Sequence, residues 1–266
     1  MRILCLNAWG GRLYDDLVAY LVATDPDVVC LQEVVHAPAA PGAWLDYRDD
    51  GAQLVQRADL YRDIGRALPG HLGVFSAAAQ GELWDGEARV MSHWGLASYV
   101  RASLPVSAQM SGFVHGGFHR RGFGPHPRAR TGQVLRLQHP DLGPVTVAHM
   151  HGLRDPAAGK QDTPARAAQA GRFADLIRAV AGPDDPVVAC GDFNVLPDSA
   201  TFAVLARLGL RDLVAGGGFT DTRSSHYAKS PRFADYMLVN DAVAVRDFQV
   251  VAAPEVSDHR PLLLTL

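Results

Sequence analysis

The sequence predicts an α/β sandwich, with buried strands at its centre and amphipathic helices outside. The first observation is a series of short apolar runs of strand length, recurring from end to end of the chain. The second is that amphipathic helical patterns occupy some of the intervals between these runs. No linker-like change of composition interrupts the 266 residues, so we expect a single domain over 1–266. The predicted strands are 2–8, 27–33, 96–102, 133–139, 145–151, 187–193, 234–240 and 261–266.

Three helical segments are predicted by apolar stripes at helical spacing and by capping residues. The first covers 13–21. The second begins at the cap Thr163 with Pro164 at its first position, and the third begins at the cap Asp198 and ends at Gly209. The apolar stripe of the first helix is Leu13, Leu17, Tyr20 and Leu21. That of the second is Phe173, Leu176, Ile177 and Val180, and that of the third is Phe202, Leu205 and Leu208.

Composition and charge narrow the class of protein. A net charge of −3 and a pI near 6.4 give no overall basic field that would attract long nucleic acids. We expect a cytoplasmic protein without a membrane span, because no apolar stretch is long enough to cross a bilayer and no cationic leader opens the chain. Nothing in the sequence indicates an obligate protein partner. The cysteines, which are typical of reduced structural thiols in apolar strands, are Cys5, Cys30 and Cys190.

The segment 111–132 is rich in glycine, histidine and arginine, and it forms the only local basic cluster in the sequence. It is too irregular for a helix or strand, so a long surface loop or hairpin tip is predicted. Two interpretations remain open: a solvated excursion, or a loop that contacts a substrate phosphate. Its histidines, which lack a convincing metal-ligand spacing, are His115, His119 and His126.

Polar side chains stand at six strand ends. In the run GDFN, Asp192 and Asn194 are two residues apart, so an extended chain would project both into one cleft. A simple turn would use the same residue types. One such residue at a strand end is usually only solvated, but six of them indicate a shared site. Carboxylates and imidazoles without cysteine suit Mg²⁺ or Mn²⁺. The six ends carry Asn7, Glu33, His149, Asp192 with Asn194, Asp235, and Asp258 with His259.

The ordered motifs resemble the endonuclease/exonuclease/phosphatase superfamily, which has a deoxyribonuclease I-like fold and includes pancreatic-type deoxyribonucleases and neutral sphingomyelinases. The resemblance runs from about residue 2 to the C-terminus. It implies a four-layer αββα sandwich, in which two central mixed sheets are flanked by helices and the site lies at one end of the sheets. The motifs are Asn7, 32-QE-33, 149-HMH-151, 191-GDFN-194, 235-DYMLV-239 and 257-SDH-259.

The resemblance also implies a division of roles. Glu33 would be the principal metal ligand, with Asn7 and Asp258 completing the protein's share of the shell. Asp192 would orient or deprotonate the attacking water, and Asn194 would hold the phosphoryl oxygen. These roles suit a phosphodiester, whose negative charge must be neutralised before water can attack.

Two histidines receive roles from the same resemblance. His259 would pair with Asp235, which would favour the cationic form of the imidazole. His149 would contact the phosphate, as in the deoxyribonuclease and sphingomyelinase branches. Trp9 stands where some branches have a further acid, so a second metal ion is not implied.

Basic and aromatic residues beyond these motifs are candidates for substrate contacts. They lie in the segments 151–173 and 220–233, in the second of which Arg223 would also line a wall of the site. The alternative is that Thr163 and Pro164 only punctuate a helix and that the basic residues are solvated. The candidate substrate-binding residues are His151, Arg154, Lys160, Arg166, Tyr227 and Lys229.

The function that these features predict is a hydrolase dependent on Mg²⁺ or Mn²⁺, in which an activated water attacks a phosphodiester in line. Its phosphorylated substrate would be a small molecule, a lipid headgroup, or a short or single-stranded nucleic acid. A duplex nuclease would neutralise several backbone phosphates, and only the segment 111–132 could supply such a patch. The alternatives are a DNA endonuclease or exonuclease, a phosphomonoesterase acting on a polyphosphorylated small molecule, and a catalytically silent binding module.

Overall fold

The computed structural model describes residues 1–49 and 51–266, which form two β-sheets packed face to face with helices on the outer sides. The helices α1 to α4 are Tyr14–Thr24, Leu60–Ala67, Pro164–Val180 and Ala200–Ala206. The strands β1 to β14 are Arg2–Asn7, Val28–His36, Trp44–Asp49, Ala52–Arg57, His71–Asp85, Ala88–Arg101, Val106–His115, Arg130–His139, Gly143–His151, Val187–Asp192, Arg211–Asp212, Asp235–Val239, Asp247–Val250 and Leu262–Thr265.

Both sheets are mixed. Over the described residues, the first sheet has the strand order β13-β14-β1-β2-β6-β5-β3-β4 and the second has the order β11-β12-β10-β9-β8-β7. The pair β1 and β2 is parallel, as is the pair β9 and β10, whereas β10 and β12 are antiparallel. This arrangement confirms the four-layer αββα sandwich that the resemblance implies.

The alternation of side chains in β1 shows how the layers are held together. Ile3 and Cys5 belong to the apolar core shared with the second sheet, whereas Leu4 and Leu6 pack in the core under α1 and α2. Because both faces of this strand are buried, its sequence is a continuous apolar run rather than an alternating one. The same reason explains why the central strands could be predicted from the sequence.

Two of the three predicted helices begin where their signals indicate. The stripe of the first helix lies on α1, where Leu17, Tyr20 and Leu21 are buried. Thr163 caps α3, because its hydroxyl oxygen accepts a hydrogen bond from the Arg166 N–H at 3.2 Å. This cap satisfies one of the backbone N–H groups that the first turn of a helix leaves unpaired.

One local prediction is wrong and another is right only in part. The cap of α4 is Ser199 rather than Asp198, since the Ser199 hydroxyl accepts from the Thr201 N–H at 3.2 Å. The segment 111–132 is the tip of a hairpin, as one of the two predicted forms requires, but it is shorter than predicted, because β7 extends to His115 and β8 begins at Arg130. The connection between these strands is therefore 116–129.

The strands that the sequence did not predict are β3, β4, β5, β7, β11 and β13. The strands β4, β7, β11 and β13 lie at the sheet edges, and β3 and β5 lie next to the β4 edge. Strand β7, for example, is largely exposed along its length. Polar side chains are tolerated in such strands, so they lack the apolar run that marks a buried strand.

No helix among the described residues is long and apolar enough to span a membrane.

Candidate active site

One cavity of about 660 Å³ collects most of the polar strand ends. Glu33, Asp192, Asn194, Asp258 and His259 all line it, although they lie as far apart in the chain as residues 33 and 259. Asn7 and Asp235 are buried beside the cavity, where their side chains bond to Asp192 and His259. The predicted convergence of distant segments on one site is therefore observed for these residues.

The backbone around Asp192 is shaped to present its carboxylate. Gly191 has φ +142°, and a Cβ added there would lie 2.0 Å from the Met150 carbonyl oxygen, so only glycine fits. The Asp192 Oδ2 accepts from Asn7 Nδ2 at 3.0 Å, and Oδ1 accepts from the Asn194 N–H at 3.0 Å. Asn194 has φ +54°, so a turn, rather than a continuing strand, directs both side chains into the cavity.

Glu33 lies at an irregularity in the ladder between β2 and β6, where the register shifts between Leu31 and Val34. Its φ of +54° is rare for a residue with a side chain and indicates a conformation imposed by its surroundings. Burial raises the pKa of Glu33 to about 7, with further contributions from the charges of Asp258 and Asp192. Carboxylates crowded in this way repel one another until a cation compensates them.

The donor set around Asp192 is suited to a divalent cation. One ligand atom each of Asp192, Asp235 and His259 lies within 4.8 Å of the other two. The His259 Nε2 is also 3.8 Å from Asp258 Oδ1. Carboxylate oxygens fit Mg²⁺ or Mn²⁺, whereas both ring nitrogens of His259 are already in contact with other side chains. Asn7 is a poorer candidate for direct ligation, since Asp192 and the Trp9 N–H already occupy its amide.

The His259 ring is held as expected, but it is not cationic. Its Nδ1 lies 2.8 Å from both carboxylate oxygens of Asp235. Its Nε2 is in hydrogen-bond contact with Nη1 of Arg223. A guanidinium can only donate, so Nε2 carries no proton and the ring is neutral. Burial and the Arg223 charge accordingly lower the pKa of His259 to about 4.

The position of His149 does not agree with the predicted phosphate contact. Its ring is 1% exposed, with Nδ1 3.2 Å from Gln32 Nε2 and Nε2 3.0 Å from Gln133 Oε1. Burial lowers the pKa of His149 to about 3. Residues two apart share a face of a strand, but His149 lies one repeat deeper between the sheets than the end of β9.

His151, at the end of β9, is the histidine of this strand that reaches the cavity. Its Nε2 lies 3.6 Å from Asp192 Oδ2 and 4.0 Å from Glu33 Oε1. Burial, together with the charge of Arg130, keeps its pKa well below the usual range, so the ring is neutral at pH 7. Its Nδ1 has no hydrogen-bond partner among the residues that the structure describes.

Most of the candidate substrate-binding residues line the cavity, but Arg166 does not. Arg166 is 1% exposed, and its guanidinium binds the carbonyl oxygens of Gln161 and Gly159, which fixes the loop before α3. The prediction that it binds substrate therefore disagrees with its position. Lys160 lines the cavity and donates to the Phe233 carbonyl oxygen. The other candidates that line the cavity are His151, Arg154, Tyr227 and Lys229.

Arg130 is a lining residue that the sequence did not single out. It is 4% exposed, its Nε donates to the Gly152 carbonyl oxygen at 3.0 Å, and its guanidinium lies 4.9 Å from the centre of the Trp94 ring. Burial lowers its pKa to about 10, so it stays charged at pH 7. The missed signal is topological: β8 runs antiparallel to β9, which brings its first residue to the edge where β9 ends.

The 116–129 connection also contributes to the cavity, through Phe123, His126 and Arg128. The ring centres of Phe123 and Tyr47 lie 5.4 Å apart. This connection therefore faces the cavity, and whether it contacts a substrate phosphate stays a prediction. The free thiols of Cys5, Cys30 and Cys190 are buried away from the cavity lining.

An acidic cluster beside a histidine–aspartate pair, at one end of a two-sheet sandwich, is typical of metal-dependent enzymes that hydrolyse phosphoester bonds. The sequence model of the Endonuclease/Exonuclease/phosphatase family matches residues 4–259, and the chain belongs to this family. Members of the family depend on a metal and act on phosphorylated substrates as phosphatases or nucleases. The resemblance identified from the motifs is therefore confirmed.

Solved structures of family members share the fold at low sequence identity. The mannosyl-6-phosphatase of Bacteroides thetaiotaomicron superposes with a TM-score of 0.67 and 15% identity, covering 100% of this chain and 98% of that one. A family protein from Beutenbergia cavernae gives 0.68 and 20%, covering 99% and 70%. The human Nocturnin catalytic domain gives 0.64 and 16%, covering 99% and 92%. No curated protein matches the sequence significantly.

Proposed function

We propose that this protein is a divalent-metal-dependent phosphoesterase that hydrolyses phosphodiester bonds in a small molecule, a lipid headgroup, or a short or single-stranded nucleic acid. The observation that carries the proposal is the convergence of Glu33, Asp192, Asp258 and the Asp235–His259 pair at one cavity. With a divalent cation bound, such a set could neutralise a phosphate, orient a water and accept its proton, which are the three demands of phosphoester hydrolysis.

The carboxylates of Glu33 and Asp258 are the best candidates to hold Mg²⁺ or Mn²⁺, with Asp192 adjacent. The cation would supply Lewis-acid polarisation of the phosphoryl oxygen. The raised pKa of Glu33 supports this assignment, because a carboxylate that is costly to ionise alone is compensated when a cation binds. Because the His259 ring is neutral, the charged groups around the cation would be the carboxylates and the neighbouring arginines.

Asp192 is the group that would accept the proton of the attacking water. Asn7 and the Asn194 N–H hold its two oxygens, so the carboxylate cannot rotate away from the cavity. As the water oxygen bonds to phosphorus, the bond to the leaving oxygen breaks and a water proton passes to Asp192. The Asn194 amide, which also donates to the Gly152 carbonyl oxygen at 3.3 Å, has a second N–H for the phosphoryl oxygen. His151 would contact the same phosphate.

The shape of the cavity favours a compact substrate over a long duplex. Its volume of about 660 Å³ lies within the range of small-molecule sites, about 300–1,000 Å³. Three segments contribute aromatic or apolar side chains to its walls. They are β3 and β4 with Tyr47 and Leu54, the 116–129 connection with Phe123, and the segment that carries Tyr227. A small-molecule or headgroup phosphate, or the end of a short single strand, fits such a site.

The buried free thiols support a reducing compartment such as the cytoplasm.

A phosphomonoesterase activity is the second candidate. The lining cations Arg130, Arg154, Lys160 and Lys229 have no carboxylate partner among the ion pairs of the described residues. Cations without a salt-bridge partner suit a phosphate that carries two negative charges, or a second phosphate on the same molecule. The fold shared with the mannosyl-6-phosphatase is compatible with this alternative.

Hydrolysis of bis(p-nitrophenyl) phosphate with Mg²⁺ or Mn²⁺ tests the proposal. We expect turnover that EDTA abolishes and that Asp192→Ala reduces by about 10² to 10⁴-fold, as for loss of one acid–base group. Asp241→Ala, on the turn after β12 and outside the cavity, is a matched control that should retain full activity. Turnover without metal, or equal turnover in Asp192→Ala, would contradict the mechanism.

A substrate panel separates the two candidates and the nuclease alternative. Sphingomyelin, inositol phosphates, sugar phosphates, short RNA and plasmid DNA are compared at two salt concentrations. A small-molecule enzyme should show little dependence of kcat/KM on salt with neutral or singly charged substrates. A duplex nuclease should instead prefer plasmid DNA and lose affinity steeply as salt rises.

A further inference from the structure

Arg223 is held beside His259 by the backbone of both segments. The two residues form an isolated antiparallel bridge. On either side of it, the Ser224 N–H donates to the Asp258 carbonyl oxygen at 3.1 Å and the Arg260 N–H donates to the Thr222 carbonyl oxygen at 2.9 Å. The position of Arg223 at the acidic cluster is therefore built into the fold and does not depend on its own side chain.

The Arg223 side chain is enclosed but incompletely satisfied. It is 6% exposed and lines the cavity. Its Nη1 lies 3.2 Å from Asp258 Oδ2 and contacts His259 Nε2, and its guanidinium carbon lies 4.2 Å from the centre of the Tyr227 ring. Its buried Nε has no hydrogen-bond partner among the described residues. A buried guanidinium with unused donors is prepared for an anionic ligand.

Arg223 places a permanent positive charge at this wall of the cavity. Its guanidinium lies against both Asp258 and His259, and a guanidinium does not lose its proton in a folded protein. A guanidinium can also bind two phosphate oxygens at once, which an imidazolium cannot.

We propose that Arg223 is a catalytic residue that contacts a phosphoryl oxygen of the substrate and neutralises the negative charge developing there. This inference rests on the proposed function, because it concerns the same site. A purely positioning role, in which Arg223 only holds Asp258 and His259, is the competing explanation. The two differ in what they predict for metal binding, since Asp258 is a candidate metal ligand.

The experiment compares the full-length wild-type protein with Arg223→Gln and Arg223→Lys. Turnover of bis(p-nitrophenyl) phosphate is measured, together with calorimetric affinities for Mg²⁺ and, in its presence, for inorganic phosphate. For Arg223→Gln we expect kcat to fall by about 10² to 10³-fold, as for loss of one donor to a developing oxyanion. Phosphate affinity should fall at least tenfold, with Mg²⁺ affinity changed by less than about threefold. Arg223→Lys, which keeps the charge, should recover part of both losses.

Arg136→Gln is the matched control, because Arg136 also binds a carboxylate, that of Asp185, by two hydrogen bonds of 2.8 and 2.9 Å, but lies outside the cavity. It should retain wild-type phosphate affinity. The proposal is overturned if Arg223→Gln keeps kcat within threefold of wild type, or if its Mg²⁺ affinity falls as much as its phosphate affinity. If the wild type lacks activity, the proposed function fails, whereas the phosphate titration still decides the role of Arg223.

Discussion

Replacing Glu33 with glutamine is expected to stabilise the metal-free protein at pH 8 and to remove its stabilisation by Mg²⁺ or Mn²⁺. Burial raises the pKa of Glu33 from 4.5 to about 7, with Asp258 adding to the shift. The folded state therefore keeps this proton to a higher pH than the unfolded state does. The stability that this bound proton contributes is complete at low pH. It is lost as the pH rises from about 4.5 to about 7.

The size of the effect follows from the pKa difference. A change of about 2.5 units, at 1.36 kcal/mol per unit, corresponds to about 3 kcal/mol at pH 8 and to less than about 1 kcal/mol at pH 5. These are upper limits, because 27% of the Glu33 side chain is exposed to solvent. In a chain of this length, the pH 8 value corresponds to a rise in Tm of roughly 5–10 °C.

Thermal unfolding of EDTA-treated wild type and Glu33→Gln, at pH 5 and pH 8 and with or without Mg²⁺, measures this effect. Glutamine removes the carboxylate that repels Asp258 while keeping the shape of the side chain, so the variant should be the more stable protein at pH 8 without metal. Glu87→Gln, whose side chain is 96% exposed, is the control and should change neither Tm nor the response to Mg²⁺. The reasoning is refuted if Glu33→Gln is no more stable than wild type at pH 8, or if Mg²⁺ raises the Tm of both proteins equally.

The two histidines of β9 and the glycine before Asp192 give three further predictions. In chemical denaturation, His149→Ala should lower the unfolding free energy by about 1–3 kcal/mol, because it removes the buried hydrogen bonds of this ring with Gln32 and Gln133. In turnover assays its kcat should stay within tenfold of wild type. His151→Ala should lower kcat at least tenfold with an unchanged circular dichroism spectrum, and full activity would contradict its contact with the phosphate. Gly191→Ala should yield little folded protein in a solubility and Tm screen, since its Cβ would overlap the Met150 carbonyl oxygen; a well-folded variant would show that the strand can shift.

The central strands and the polar residues at their ends could be predicted from the sequence, because both give local signals. A strand buried on two faces must be apolar along its length, as β1 and β10 are. The polar residues that interrupt such runs, among them Glu33 and Asp192, stand out against them. Strand β7 carries no such contrast, because an edge strand tolerates polar side chains.

The sequence by itself determined the order of the motifs, the buried strands and the kinds of ligand atom available. Only the tertiary structure decided how deep each side chain lies: His149 and His151 share one face of β9, yet only His151 reaches the cavity. Likewise, Arg166 supports a loop from inside, and Arg223 lies against His259, where its charge adds to burial in lowering the pKa of the ring. The physical reason is that periodicity gives the direction of a side chain along its own strand, whereas its depth and charge depend on what other segments pack against it.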